Sequence, residues 1–272
     1  LLNAAFDLHV IAFNCFDASF STQLFIMPHT SLGALAPLLR INISLVLASA
    51  SPRRKQILEQ LGMKFRILPS TINEDIVPTS LSPEHYVETL ASHKARNVAS
   101  VLASELISNT ITPTLVLAAD TTVVFDGTIL NKPSSPDHAR QMLRLLSGRT
   151  HTVYTGIAIA EVANKQVSDA ADNPQHGLLS KQSSSPTLLL SAVCATNVLF
   201  RVLRDEEIDA YVATGSPMDK AGSYGIQDDL GAIFVERIDG CYYNVVGLPL
   251  ATLYDLLQRY AQHYFFGEAS DK

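Results

Sequence analysis

Residues 44–54 read Ser44-Leu45-Val46-Leu47-Ala48-Ser49-Ala50-Ser51-Pro52-Arg53-Arg54. Ser44–Ala48 is a short apolar run suited to a buried strand. Ser51 then offers a helix N-cap, Pro52 fits the first helical position, and Gly62 closes the pattern as a C-terminal glycine. Ile57, Leu58 and Leu61 recur at helical spacing, which predicts an amphipathic helix over Pro52–Leu61. A strand that feeds a helix start leaves backbone N–H groups pointing outward, where the helix dipole favours negative charge. The hydroxyls of Ser49 and Ser51 add donors, and Arg53 and Arg54 can grip phosphate in bidentate fashion. The other reading is a well-capped helix with solvated arginines. No GxxxxGK[ST] occurs, and no GxGxxG follows a strand.

Outward from this stretch the chain alternates strands and helices. Lys64–Leu68 is expected to be a strand and Thr71–Ser82 an acidic, Pro-containing loop. Ser82-Pro83-Glu84 opens a second helix running to about residue 107. Thr114–Ala118 is an apolar strand ending at Asp120, and Asp126-Gly127 between Val123–Phe125 and Thr128–Leu130 signals a two-residue hairpin. A Pro-led helix follows over Ser135–Leu146, then strands at His151–Ala160 and Ser191–Leu203, a helix at Asp205–Ala213, a strand at Ala232–Ile238 and a closing helix at Leu248–Tyr260. This rhythm predicts an α/β fold, and the hairpin makes the sheet mixed. Residues 161–190, rich in Asn, Asp, Gln, Ser and Pro, read as a long loop inserted between two strands.

With 272 residues, 47% of them hydrophobic, the chain can bury a substantial core, and a length prior of roughly 150 residues per domain suggests one or two domains. The net charge of −6 argues against nonspecific nucleic-acid binding, which needs concentrated Lys and Arg, but leaves room for a small polyanion in a cleft. Residues 1–43 read as an N-terminal extension, apolar yet without a clean run of the roughly 18–20 residues that span a membrane. They have no basic start of a secretory signal, and Met27 is a candidate initiator. Cys15, Cys194 and Cys241 are far apart, so neither a zinc site nor a disulfide framework is expected, and buried, reduced thiols in a cytoplasmic protein are.

Asp120, after a buried strand, stands where α/β proteins place ligand sites. It could hold a hard metal ion, take a proton from water, or simply cap the next turn. Glu74 and Asp75 in the acidic loop could supply a second oxygen ligand. Lys94, Lys132 and Lys220 are candidate phosphate cations; Lys220 sits in Asp219-Lys220-Ala221-Gly222-Ser223-Tyr224-Gly225-Ile226-Gln227, whose glycines permit close approach to a ligand. Gln227 can read a nucleobase edge, having both donor and acceptor. His151 is expected to hydrogen-bond backbone at a strand start, and Tyr242-Tyr243 to pack.

Taken together, Leu47–Arg54, Ala118-Ala119-Asp120-Thr121, Asn131-Lys132-Pro133, Leu146–Gly156, Asp219–Gln227 and Val245–Leu250 strongly resemble the Maf family of nucleotide pyrophosphatases. The resemblance covers about 44–262 apart from the insertion; the block 44–265 would be the Maf-like domain. It implies an elongated mixed α/β fold, similar to inosine triphosphate pyrophosphatases, with a cleft between two lobes. It also implies metal-dependent cleavage of a nucleoside triphosphate between the α and β phosphates, with Mg, Mn or Co as the divalent cation. By the matching motifs Asp120 would be the catalytic proton acceptor, and Glu74 and Asp120 would hold the metal. Ser49, Arg53, Arg54, Lys94, Lys132 and Lys220 would surround the triphosphate. Arg53, Thr121 and Gln227 match positions tied to substrate choice in the branch acting on dTTP and UTP. Asp120-Thr121 and Gly225-Ile226-Gln227 are of that type; the alternatives are the sister branch that takes 7-methyl-GTP and a nucleotide-sensing regulator of cell division. The family's habits make a homodimer the expected assembly, without nucleic-acid or membrane partners. Ala119 where Gly is common and the 161–190 insertion are departures.

Overall fold

The computed structural model describes residues 32–105, 112–163 and 188–266. The reading of Met27 and most of the 161–190 insertion, like Cys15, lie outside the described residues. Seven strands form one mixed sheet: β1 (Ser44–Leu47), β2 (Arg66–Ile67), β3 (Thr114–Phe125), β4 (Thr128–Leu130), β5 (Thr150–Glu161), β6 (Leu189–Phe200) and β7 (Val235–Asp239). The order is β2-β1-β3-β5-β6-β7, with β4 also on β3. β1 runs parallel to β2 and β3, while β3, β5, β6 and β7 pair antiparallel in succession. The helices are α1 (Ala36–Leu39), α2 (Pro52–Gln60), α3 (Pro83–Glu105), α4 (Pro136–Leu146), α5 (Asp205–Ala213), α6 (Asp229–Ala232), α7 (Tyr242–Val246) and α8 (Leu250–Phe266). Among the described residues no helix is long and apolar enough to cross a membrane.

The expected break after Ala118 is absent. β3 is one twelve-residue strand, and Asp120 lies in its interior, paired with Gly156 of β5. The β-branched run Thr121-Thr122-Val123-Val124 extends the strand, and β5 supplies a partner along almost all of it. The partner that stops is β1, which covers β3 over Thr114–Leu117 on the other edge, while β4 covers only Val123–Phe125. Neither pairs with Ala118–Thr122, so a window opens in that edge of the sheet.

Three apolar clusters surround the window. On one face Leu115, Leu117 and Ala119 of β3 join Ile157 and Ile159 of β5, α2 and α8 in a first core. Farther along that face Val123, Phe125 and Val153 belong to a second core built with α4 and α5. Side chains alternate along a strand, so Thr121 and its register partner Thr155 fall between the two cores as a polar divide. On the opposite face Val116, Ala118, Ala158 and Ala160 pack against α3. Gly156 has no side chain there because α3 crosses it: a Cβ would stand 2.4 Å from the Val87 carbonyl oxygen. Leu32, Leu39, Ile41 and Ile43, read above as part of an extension, are buried in the first core.

Two smaller expectations are corrected. The strand expected over Ala232–Ile238 starts at Val235, because pairing with β6 begins opposite Phe200, at an irregularity in the register. Cys194 and Cys241 are free thiols that are partly exposed, not buried.

Candidate active site

The strand–turn–helix at residues 44–60 forms as its sequence predicts, with one difference at the junction. Ser51 occupies the N-cap of α2, but its side chain makes no cap. Instead the Ser49 hydroxyl accepts from the Ser51 N–H at 3.2 Å and from Arg54 Nη1 at 3.1 Å. The first backbone N–H groups of the helix are therefore left facing the window, a polarity that suits an anion. Arg54 is half-buried and held at two further points: Nε donates to the Gly247 carbonyl at 2.8 Å and Nη2 to Thr121 Oγ1 at 3.1 Å. Burial pulls its guanidinium below the usual arginine range, while the charge of Asp120 acts the other way. Arg53 points to the rim and meets Asp219 at 3.3 Å from across the cleft.

On the α3 side of the sheet, Lys94 falls on the helical stripe of Val87, Leu90, Ala91 and Val98, so its stem packs on the sheet and its ammonium reaches the window. Nζ contacts Asp120 Oδ1 at 2.6 Å and Glu74 Oε1 at 2.7 Å. The lysine and Asp120 side chains are each 12% exposed and Glu74 is 50% exposed. Glu74 is presented by a short 3₁₀ turn capped by Asn73, whose side chain accepts from the Asp75 N–H. Burial raises the Glu74 carboxyl, but Lys94, with help from Lys132 and Arg54, outweighs it and leaves the group below the ordinary carboxylate range. One cation thus bridges two acceptor-only groups.

Ser49, Arg53, Arg54, Glu74, Lys94 and Asp120, with Thr121, Lys132, Lys220 and Gln227, line a single cavity of about 580 Å³, a size that takes a small-molecule ligand. Lys132 and Gln227 are exposed at its rim, and Lys132 makes no hydrogen bond or ion pair among the described residues. Lys220 differs from a free phosphate cation: it is 7% exposed, and its ammonium bonds Ser216 and contacts Asp219 at 2.7 Å and Asp228 at 3.1 Å. Asp228 also accepts from Tyr211 and Ser216, and this network fixes the 216–228 loop.

Other side chains in or around the wall were not singled out as ligand contacts from the sequence. Tyr86 and Asn131 bond each other at 3.3 Å, and Asn131 accepts from Thr122. Thr155 and Asn244 lie behind Thr121. His151 is not bonded to backbone as expected; its Nε2 pairs with the Tyr224 hydroxyl at 2.8 Å, and its ring meets Phe200 and Tyr224 edge-on. Tyr242 and Tyr243 are exposed and meet each other edge to face.

The mixed α/β fold carries a cleft that joins a helix N-terminus, several cations and two carboxylates on one lysine, a donor set of the kind that suits a polyanion. The chain belongs to the Maf-like protein family, whose model matches residues 44–260. It is 43% identical over 222 residues to a dTTP/UTP pyrophosphatase of Salinibacter ruber, covering 82% of this chain and 93% of that one. It is 46% identical over 213 residues to a dTTP/UTP pyrophosphatase of Moorella thermoacetica, with coverage of 78% and 93%. A HAM1 protein from Coxiella burnetii aligns at a TM-score of 0.28 and 16% identity over 58% of this chain and 73% of that one, too distant to carry an argument.

Proposed function

We propose that the protein hydrolyses nucleoside triphosphates, dTTP and UTP foremost, to the monophosphate and pyrophosphate. One observation carries this reading: the Glu74–Lys94–Asp120 cluster faces the α2 N-terminus and Arg54 across one open window of the sheet. A triphosphate lying along the window has its charge met by the helix start, Arg54, Lys132 and, at the rim, Arg53. Asp120 accepts a proton from the attacking water, and Lys94 keeps its carboxylate oriented toward the cleft. Gln227 and Thr121 face the nucleoside end, and Lys220 acts by holding the loop that carries Gln227.

The donor set suits a hard divalent cation. Among the described residues no group of three or more His, Cys, Asp or Glu gathers, so the protein would offer Glu74 and Asp120, each with a second oxygen beyond that on Lys94. Mg²⁺-like ions commonly take one or two carboxylates and complete their shell with substrate phosphates and water. Bound there, Mg, Mn or Co would neutralise phosphate charge and polarise the attacked phosphoryl group. The relatives' names motivate the pyrimidine assignment. Pyrophosphate release should be measured over a panel of canonical, methylated and modified triphosphates with each metal. The expected result is fastest turnover of dTTP and UTP; selectivity for 7-methyl-GTP would move the protein to the sister branch, and no release from any triphosphate would overturn the reading.

A further inference from the structure

Behind the cleft a chain of hydrogen bonds has a direction that can be worked out from donors and acceptors alone. Thr155 Oγ1 lies 3.0 Å from the Asn244 carbonyl oxygen, which can only accept, so the single Thr155 proton is committed there. The 2.9 Å contact between Thr155 and Thr121 must then be donated by Thr121. Thr121 Oγ1 in turn accepts from Arg54 Nη2 at 3.1 Å. The order is Arg54 to Thr121 to Thr155 to Asn244, and it leaves Thr121 only a lone pair to show the cleft. Asn244 is completely buried, and its amide donates to the Val153 carbonyl and to Thr196 Oγ1, both at 2.9 Å. These two bonds pin α7 to β5 and β6. The C-cap of that helix is Gly247, whose backbone, at φ +116°, presents the carbonyl that holds Arg54 Nε at 2.8 Å.

We propose that Thr155 and Asn244 are positioning residues that fix the Arg54 guanidinium and orient the Thr121 hydroxyl as an acceptor toward the ligand. Neither belongs to the phosphate-gripping set, and both act through Arg54 and Thr121. The inference rests on the pyrophosphatase reading only for its kinetic readout. Arg54 is held by three bonds, two of which depend on this relay: the Thr121 bond through Thr155, and the Gly247 bond through the anchoring of α7.

The test compares Thr155→Val, which keeps the shape but removes the relay, with Thr155→Ser, which keeps the hydroxyl. Calorimetric binding of inorganic pyrophosphate and KM and kcat for dTTP are read on each, beside the melting temperature. The expected result is about tenfold weaker pyrophosphate binding and a raised KM for Thr155→Val, near-native values for Thr155→Ser, and a Thr155→Val melting temperature lowered by no more than the few degrees that two lost buried hydrogen bonds account for. In an Arg54→Ala background the valine substitution should change pyrophosphate binding less than about twofold, since it acts through the missing group. Native-like binding by Thr155→Val, or a tenfold effect that persists without Arg54, would overturn the inference alone. A native protein that neither binds pyrophosphate nor releases it from dTTP would overturn the functional reading, and the inference with it. Should valine prevent folding, Thr155→Ala carries the same comparison.

Discussion

His151 couples the folded state to pH in the mildly acidic range. Its ring is 2% exposed, wedged between Phe200 and Tyr224, and burial lowers its pKa from 6.5 to about 4. Among the described residues no carboxylate compensates a charge there; Nε2 meets a neutral phenol and Nδ1 has no partner among them. The unfolded chain takes up the proton near pH 6.5 and the folded one only near pH 4. Between those values the unfolded state binds more protons, so stability is complete above pH 6.5 and is lost progressively as pH falls. At about 1.36 kcal/mol per pKa unit the loss amounts to about 2 kcal/mol by pH 5 and about 3 kcal/mol by pH 4. The assay is urea unfolding at intervals from pH 8 to pH 4, on the native protein and on His151→Gln, which can still bond Tyr224 but does not titrate. The native curve should fall away from the variant's by those amounts over that window. Parallel curves would refute the reasoning, and would mean that the ring is protonated or solvated in the fold.

Three further outcomes are expected. Asp120→Asn should reduce pyrophosphate release by about two to four orders of magnitude, the usual weight of a general base, with an unchanged far-ultraviolet spectrum; substantial residual turnover removes the assigned role. Lys94→Met leaves the mostly buried Asp120 without its counter-ion and should destabilise the fold by about 3 kcal/mol in denaturant titration, while also reducing turnover. Gly156→Ala drives a methyl into the Val87 backbone of α3, and a loss of at least about 2 kcal/mol, or failure to express as folded protein, should follow; a melting temperature within a degree or two of native would contradict the close crossing.

Features that depend on neighbours in the chain were legible beforehand. The start of α2 could be placed because Pro52 fits the first helical position, and α4 and α5 follow their local patterns to within a residue. The hairpin between β3 and β4 forms at Asp126-Gly127, where both residues take positive φ. Contacts set by distant elements were not legible. Whether β3 stops at Asp120 is decided by β5, more than thirty residues later, and the bond from His151 to Tyr224 spans 73 positions. For Lys220 a cationic residue in a Gly-rich turn suggests a phosphate ligand; only the fold reveals that Ser216, Asp219 and Asp228 converge on its ammonium. The spacing of Lys94 with Val87, Leu90, Ala91 and Val98 would have placed it on the sheet-facing stripe, a signal available in the sequence.

Because β3 runs on past Asp120, the site takes a different place in the topology. A carboxylate at the end of its own strand would sit on a loop, free to adjust. Asp120 instead sits in mid-strand, where β5 fixes the backbone on one edge and the other edge is left open by the end of β1. The ligand position at a strand's carboxyl end is therefore that of β1, whose chain turns at Ser49 into α2. Asp120 and Thr121 are consecutive on a rigid strand, so their side chains point to opposite faces of the sheet. Asp120 meets Lys94 from α3 on one face, and Thr121 meets Arg54 from α2 on the other. With no strand closing the edge between them, a ligand in the window reaches both faces at once. The proposed acid–base group and the proposed anion grip are thereby fixed to each other by one peptide unit, a geometry that two separate loops would have to maintain at a larger cost in conformational entropy.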